Sequence, residues 1–205
     1  MKQKHFIDSH KGATVFAVLA LMYHFNQWDN PTAWVYLALH GTYGILWVLK
    51  SNIFGDRNWE KDTPLWYGLV IWAGLTLYWT APYIICSQGL QMPLPWLALC
   101  TSVYILGVFM HFASDMQKHA TLAIKPGLID TGLWSRLRNP NYFGELLIYL
   151  GFVAIPQHWF PLTALAVMIV SYWVPNMLRK DRSLSRHPGW ADYKARSWCF
   201  IPLVW

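Results

Sequence analysis

Apolar residues are gathered along this chain into six stretches, which are separated by short segments rich in polar residues, Pro or Gly. A helix that crosses a bilayer needs about 20 residues, with a range of about 17–25. The first and fifth stretches are shorter and must extend into flanking residues. The pattern predicts an all-α protein, a polytopic membrane helix bundle of about six transmembrane helices. The stretches are Ala13–Phe25, Thr32–Leu49, Leu65–Ile85, Leu94–Ala113, Tyr142–Ile155 and Trp159–Met177.

The composition also favours lipid as the solvent. Of the 205 residues, 55% are hydrophobic and 13% are charged, whereas soluble domains are about 25% charged. The chain has 14 Trp residues, and Trp is enriched where a helix meets the membrane–water interface. Too few polar side chains remain to cover a soluble globule, so we expect a single integral membrane domain over residues 1–205.

All 16 Lys and Arg residues fall before the first apolar stretch, in the second and fourth connections, or after the last stretch. The other three connections, around residues 29–30, 87–93 and 156–158, carry none. This alternation follows the positive-inside rule and predicts that both termini are cytoplasmic. It explains the net charge of +6 without a nucleic-acid partner. The basic residues are Lys2, Lys4, Lys11, Lys50, Arg57, Lys61, Lys118, Lys125, Arg136, Arg138, Arg179, Lys180, Arg182, Arg186, Lys194 and Arg196.

Motifs of metal sites and of soluble nucleotide-binding folds do not occur in the sequence. Cys86, Cys100 and Cys199 are widely spaced and form no CxxC pair, so we expect free thiols and no metal site. The chain has no GxGxxG, Walker A, HExxH or GxSxG motif.

The densest cluster of polar residues lies at the start of the fifth stretch. Pro140 suits the first position of a helix, and a helix from there places Asn141, Glu145 and Tyr149 on one face. Glu145 would lie about one turn inside the membrane, where an ionisable residue is a functional candidate. The alternative is an ion pair of Glu145 with a nearby arginine at the interface. The cluster includes Arg136, Arg138, Asn141, Tyr142 and Glu145.

A second polar and aromatic stripe follows one face of the predicted second helix. Tyr36, His40, Tyr43, Trp47 and Lys50 recur at steps of four and three residues. His40 lies near the middle of that helix, where it needs a partner. It is either a functional residue or a hydrogen-bonding residue between helices, with the aromatic rings serving as packing.

Two more segments carry candidate chemistry. Asp115 could accept hydrogen bonds from a ribose or a nicotinamide, or it could cap a helix or pair with Lys118. The tail over residues 179–196 interleaves basic residues with Trp190 and Tyr193. That composition suits either a phosphate-bearing cofactor or anionic lipid headgroups.

From Ser114 onward the chain resembles the C-terminal half of the steroid 5α-reductase and sterol reductase group, above all its small bacterial relatives of undefined substrate. A wider superfamily includes isoprenylcysteine carboxyl methyltransferases and phospholipid N-methyltransferases. These usually show Arg-His-Pro-x-Tyr and lack the later acidic residue, so Asn141 and Glu145 favour the reductases. The matching pieces are Ser114-Asp115, Gln117-Lys118, Gly132-Leu-Trp134, Arg138-Asn-Pro-Asn-Tyr-Phe-Gly-Glu145, and Tyr193-Lys194 with Phe200-Ile-Pro202.

The resemblance implies a set of residues around NADPH. It implies that the NADPH pocket is lined by Asp115, Asn141, Tyr142, Glu145, Arg182 and Tyr193. Apart from the resemblance, we expect basic residues near 136–138 and 179–196, among them Arg136, Arg138 and Arg196, to bind the NADPH phosphates, and Lys118 to be a further cofactor contact. The reductases protonate their substrate with a Tyr and a Glu from early helices. Tyr43, after His40, is similar to their His-Tyr segment, and no acidic partner is evident in the first three predicted helices.

We therefore expect a multi-pass reductase of the bacterial inner membrane. It would transfer a hydride from NADPH to a C=C bond of a lipid or steroid-like substrate, with Tyr43 or His40 supplying the proton. Residues 1–113 would form the lipid-substrate part and residues 114–205 the cofactor part. The alternatives are an S-adenosylmethionine-dependent methyltransferase acting on a lipid or thiol, and a non-catalytic membrane protein.

Overall fold

Seven helices make up most of the described chain, and no strand occurs within it. The computed structural model describes residues 1–205, except for the side chains of Arg57 and Asn58. The 3-10 turns Arg57–Glu60 and Gly132–Trp134 lie between helices. The prediction of an all-α protein is confirmed. The helices are α1 (Gln3–His24), α2 (Pro31–Phe54), α3 (Leu65–Ser87), α4 (Leu94–Ile124), α5 (Pro140–Val153), α6 (Trp159–Leu184) and α7 (Trp190–Ala195).

Four of these helices, α2, α3, α4 and α6, are long and apolar enough to cross a membrane. Helices α1 and α5 correspond to the two stretches that are short in the sequence, and they do not reach that standard. The predicted membrane bundle is thus confirmed for four spans. The positions of the termini relative to the membrane stay a prediction.

Two predicted helix ends are wrong. Helix α1 begins at Gln3 rather than near Ala13, because polar residues in its first half are buried and bonded inside the protein. Helix α4 continues to Ile124 rather than ending at Ala113. The connection between α4 and α5 therefore covers residues 125–139.

Large apolar side chains cover outward-facing surfaces of the long helices. On α3, Leu65, Trp66, Leu69 and Val70 are each more than half exposed. Contiguous exposed apolar surface of this kind is unfavourable in water. These faces are consistent with contact to the lipid bilayer.

Three long helices contain irregular turns. Helix α2 has a π-helical segment at Leu37–Gly41 and α6 has one at Ile169–Trp173. In α3, a 3-10 segment over Leu77–Trp79 precedes Pro82. Pro82 has no N–H to bond the carbonyl four residues earlier, which belongs to Tyr78. Single-turn π segments often occur at functional positions.

The chain divides into two compact units. Unit 1 contains Met1–Tyr104 with Leu150–Leu165, and unit 2 contains Ile105–Tyr149 with Ala166–Trp205. Each unit is described separately below. The expected functional division into a lipid-substrate part (residues 1–113) and a cofactor part (residues 114–205) stays a prediction.

Candidate functional site

In unit 2, the C-terminal tail is fastened to the segment that precedes α5. Arg138 is buried, and its Nε donates a hydrogen bond to Asp181 at 3.1 Å. Its Nη1 donates to the Ser197 carbonyl. The backbone N–H of Arg138 donates to the Trp198 carbonyl at 2.8 Å. Arg138 therefore connects the start of α5, the end of α6 and the tail.

Asn139 makes the neighbouring connection. Its side chain is fully buried, and Nδ2 donates to the Cys199 carbonyl at 2.8 Å. Its Oδ1 accepts a hydrogen bond from Lys180 Nζ at 2.9 Å. Lys180 Nζ also donates to the Arg138 carbonyl and lies 4.4 Å from the centre of the Trp134 ring. These contacts place the Lys180 amine at the start of α5.

A glycine turn before α5 is held against α4. Gln117 donates from Nε2 to the Thr131 carbonyl and accepts from the Leu133 N–H, at 2.9 and 3.1 Å. Gly132 lies between them with φ +58°, and a Cβ there would overlap the Gln117 amide. The Gln117-Lys118 and Gly132-Leu-Trp134 pieces of the motif are thus linked by direct contact.

Two aromatic residues, Trp134 and Tyr193, add hydrogen bonds that join the tail, the turn before α5 and α4. Trp134 donates from Nε1 to the Ser114 carbonyl at 3.1 Å. Tyr193 is buried, and its hydroxyl donates to the Trp134 carbonyl. Burial raises the pKa of the Tyr193 phenol, so the group stays a proton donor at neutral pH. A direct contact of Tyr193 with a cofactor stays a prediction.

Helices α4 and α5 approach closely at the predicted site. A Cβ on Gly144 would overlap the backbone of His111, so only glycine permits this approach. His111 Nδ1 lies 3.0 Å from the Asn141 carbonyl. Because a carbonyl only accepts, Nδ1 carries the proton. The contact fixes the first turn of α5, from which the Asn141 side chain projects.

The side-chain oxygen of Asn141 is the most informative atom of this region. Its Oδ1 is buried and has no hydrogen-bond partner within the part of the chain that the structure describes. Buried acceptors in native proteins are almost always bonded to protein, water or a ligand. A ligand with an N–H or O–H donor, such as the carboxamide or ribose hydroxyls of NADPH, fits this requirement.

The ten predicted cofactor residues all lie in unit 2, in different environments. Arg136, Arg182 and Arg196 are exposed, and Arg196 pairs with Asp130 at 2.6 Å. Arg138 and Tyr193 are buried and already bonded to the chain, so their contact with a phosphate or cofactor stays a prediction.

The remaining members border the same region. Asp115 is buried, and it acts electrostatically on Lys180, as does Lys118. Tyr142 lies 5.6 Å from Trp173, between ring centres. Glu145 is half-buried and forms interactions of its own.

Unit 1 contains the stripe of α2, and all five of its members are buried as one face: Tyr36, His40, Tyr43, Trp47 and Lys50. His40 lies in the π-helical segment, and its Nδ1 is 2.7 Å from the Tyr36 hydroxyl. That hydroxyl donates to the Tyr78 carbonyl at 3.2 Å. This carbonyl lacks its usual helical donor, because Pro82 has no N–H. The His40 ring stacks on Phe152 at 4.1 Å.

The sequence did not indicate roles for Asp8 and Lys11 of α1, because both precede the predicted start of that helix. Asp8 accepts hydrogen bonds from Trp47 Nε1 at 3.1 Å and from Ser51 Oγ at 2.7 Å. Asp8 precedes the first predicted helix, and it places a carboxylate against Trp47 of the α2 stripe. Lys11 is buried against Tyr43 and Trp47. Helical spacing of Phe6, Ile7, His10 and Lys11 with later buried residues could have indicated the longer helix.

Residues 56–196 match the model of a family described as a protein of unknown function, DUF1295. The chain belongs to the DUF1295 family. The DUF1295 match includes the Gly132 turn, the start of α5 and all ten predicted cofactor residues, whereas Tyr43 and His40 precede it. A search of curated proteins finds no match to this chain.

Proposed function

We propose that this DUF1295 protein is a membrane-embedded reductase that uses NADPH to reduce a C=C bond of a lipid or steroid-like substrate. The observation that carries the proposal is the buried, partnerless Oδ1 of Asn141 at the start of α5. The resemblance of Arg138–Glu145 to the steroid 5α-reductase group supports it. That segment contains both Asn141 and Glu145, the two residues that distinguish the reductases from the methyltransferases.

The residues of unit 2 supply a site for a dinucleotide with an added phosphate. Asn141 would accept a hydrogen bond from the cofactor, and the half-buried Glu145 would orient it from the next turn of α5. The exposed guanidinium groups of Arg136, Arg182 and Arg196 would bind phosphate oxygens, for which the planar Arg fork is well suited. When bound, NADPH supplies a hydride from its nicotinamide ring.

The residues of unit 1 supply the proton. Reduction of a polarised C=C bond adds a hydride to one carbon and a proton to its neighbour, so the enzyme needs a positioned acid. Tyr43 is the better donor. The His40 Nδ1 already forms a hydrogen bond with the Tyr36 hydroxyl, so a proton on that nitrogen is shared with Tyr36 rather than offered to a substrate. The Tyr43 O–H bond breaks as the new C–H bond forms, and its electron pair stays on the phenol oxygen.

The second candidate is an S-adenosylmethionine-dependent methyltransferase, because the superfamily that the chain resembles includes such enzymes. That cofactor has no phosphate, and its single carboxylate would bind fewer of the exposed arginines of unit 2 than the phosphates of NADPH would. A lipid substrate that enters from the bilayer suits either activity. The cytoplasmic entry of the cofactor rests on the predicted topology.

Thermal unfolding of the purified protein in detergent tests the choice of cofactor. A ligand that binds only the folded state raises the melting temperature, by an amount that grows with the logarithm of its excess over Kd. NADPH should raise it, NADH should raise it less because it lacks the additional phosphate, and S-adenosylmethionine should have no effect. Stabilisation by S-adenosylmethionine without stabilisation by NADPH would reverse the ranking.

Hydride transfer is tested with NADPH deuterated at the nicotinamide C4 and a lipid extract as substrate. Deuterium should appear in a lipid whose mass has also increased by one proton, and only with active protein. Unlabelled lipid after complete oxidation of the cofactor would contradict the proposed reaction.

A further inference from the structure

A buried lysine of α1 contacts the ring of the proposed proton donor. Lys11 is 6% exposed, and its Nζ lies 4.1 Å from the centre of the Tyr43 ring and 4.2 Å from that of Trp47. An ammonium group removed from water is costly unless other groups compensate for lost hydration. Aromatic faces attract cations because of the ring quadrupole. The two rings therefore stabilise the charge of the buried Lys11 ammonium.

The backbone fixes the position of this cation. A Cβ on Gly44 would overlap the Lys11 carbonyl, so α1 and α2 touch through their main chains at this level. The Trp47 ring is oriented by its Nε1 hydrogen bond to Asp8, which also accepts from Ser51. The ammonium and the two rings are thus placed by packing rather than by the free rotation of a long side chain.

We propose that Lys11 is a positioning residue for Tyr43, whose ammonium stabilises the negative charge that develops on the Tyr43 phenol as its proton leaves. The inference rests on the proposed function. The proton passes to the substrate carbon next to the one that receives the hydride. The phenol oxygen keeps the O–H electron pair and takes a new proton from water afterwards. Opposite charges a few ångströms apart attract strongly where water is excluded.

Three variants separate this role from simple packing. Lys11→Met removes the charge and keeps the chain length, and Lys11→Arg keeps the charge. Lys50→Met is the matched control, because Lys50 is also buried and its Nζ lies 4.8 Å from the Trp47 ring. If Lys11→Met fails to fold, Lys11→Gln supplies the neutral variant.

The first readout does not depend on catalysis. The full-length protein in lipid nanodiscs is labelled with 3-fluorotyrosine, and the Tyr43 signal in the fluorine NMR spectrum is identified by its loss in Tyr43→Phe. That signal should move in Lys11→Met, stay near its original position in Lys11→Arg, and change less in Lys50→Met. A signal that does not move in Lys11→Met overturns the inference, whatever the activity.

The second readout is transfer of deuterium from labelled NADPH to lipid. Turnover should fall at least about tenfold in Lys11→Met, which corresponds to 1.4 kcal/mol at the barrier, and Lys11→Arg should restore most of it. Apparent NADPH affinity should be unchanged, because Lys11 does not belong to unit 2. A moved fluorine signal with full turnover in Lys11→Met also overturns the inference. If the wild type transfers no deuterium, the proposed function fails, and the fluorine signal alone then decides whether Lys11 and Tyr43 are paired.

Discussion

The two units of this protein use buried polar side chains in different ways. In unit 2, side chains such as Arg138, Asn139 and Gln117 donate to backbone carbonyls of distant segments. In unit 1, His40 and Lys11 lie against aromatic rings. Most of the polar groups in the motif of unit 2 therefore stabilise the fold, whereas the buried side-chain oxygen of Asn141 makes no hydrogen bond within the described chain, a property it shares with one carboxylate oxygen of Asp181. A motif residue is a site candidate when folding leaves its polar atom unused.

The largest expected effect concerns the buried ion pair of unit 2. Arg138→Met leaves the Asp181 carboxylate, 15% exposed, without its cation and removes the donor to the Ser197 carbonyl. Breaking a buried pair costs about 3–5 kcal/mol, so the free energy of unfolding in detergent should fall by about that amount. Arg138→Lys should lose less. If Arg138 is mainly a phosphate contact, stability will instead be unchanged while NADPH binding weakens and becomes less sensitive to salt.

The second prediction compares two glycines of unit 2 that both have positive φ. Gly189, at φ +80°, has open space around an added Cβ, whereas at Gly132, φ +58°, the Cβ meets the Gln117 amide. Gly189→Ala should cost only backbone strain, about 1 kcal/mol. Gly132→Ala should cost about 2–3 kcal/mol, because the clash adds to the strain. Equal losses of stability would mean that the Gln117 contact does not constrain the turn.

The third prediction concerns Glu145, which the proposed function makes a contact of the cofactor. Glu145→Gln should leave folding intact and weaken NADPH binding by about 1.5–3 kcal/mol, or roughly tenfold to a hundredfold, for one lost charge-assisted hydrogen bond. Isothermal titration measures the change. An exposed ion pair at the interface would contribute only about 0–1 kcal/mol. An unaltered NADPH affinity would therefore mean that Glu145 forms such an ion pair and does not contact the cofactor.

The smallest effect is expected at the exposed ion pairs of unit 1, where Lys2 and Lys4 bind Glu60. Hydrogen bonds from Lys2 and then Lys4 lower the pKa of Glu60 to about 2. Because the folded-state pKa is lowered, any stabilisation is complete above the usual carboxyl range and is lost as pH falls toward about 2. The melting-temperature difference between the wild type and Glu60→Gln should be small at neutral pH and disappear in acid. A constant difference at all pH values would exclude this pairing.

The apolar pattern predicted the fold class and the long helices because hydropathy reports directly on contact with lipid. It failed at the first half of α1 and the last turns of α4. There, polar residues such as Asp8 and Lys11 are satisfied by partners elsewhere in the chain, and a local hydropathy pattern does not detect such partners. The bond from Trp47 to Asp8 joins residues 39 apart.

The motif alone did not separate the roles of its residues. Asn139, Asn141 and Arg138 are neighbours in one segment, and spacing gives no reason to separate them. The structure does separate them. Arg138 and Asn139 donate hydrogen bonds to carbonyls of the tail, whereas the side-chain oxygen of Asn141 has no hydrogen-bond partner in the described chain.

The central claim is tested most directly by comparing Asn141→Leu with Asn139→Leu. Each is measured for NADPH affinity by isothermal titration and for thermal stability without ligand. Asn139→Leu should lower stability by about 1–3 kcal/mol, because it leaves buried partners unsatisfied. Asn141→Leu should not lower it, since an unsatisfied buried acceptor is removed, and should weaken NADPH binding at least about fivefold, the loss of one hydrogen bond of about 1 kcal/mol. Unchanged NADPH affinity in a folded Asn141→Leu protein would contradict the account.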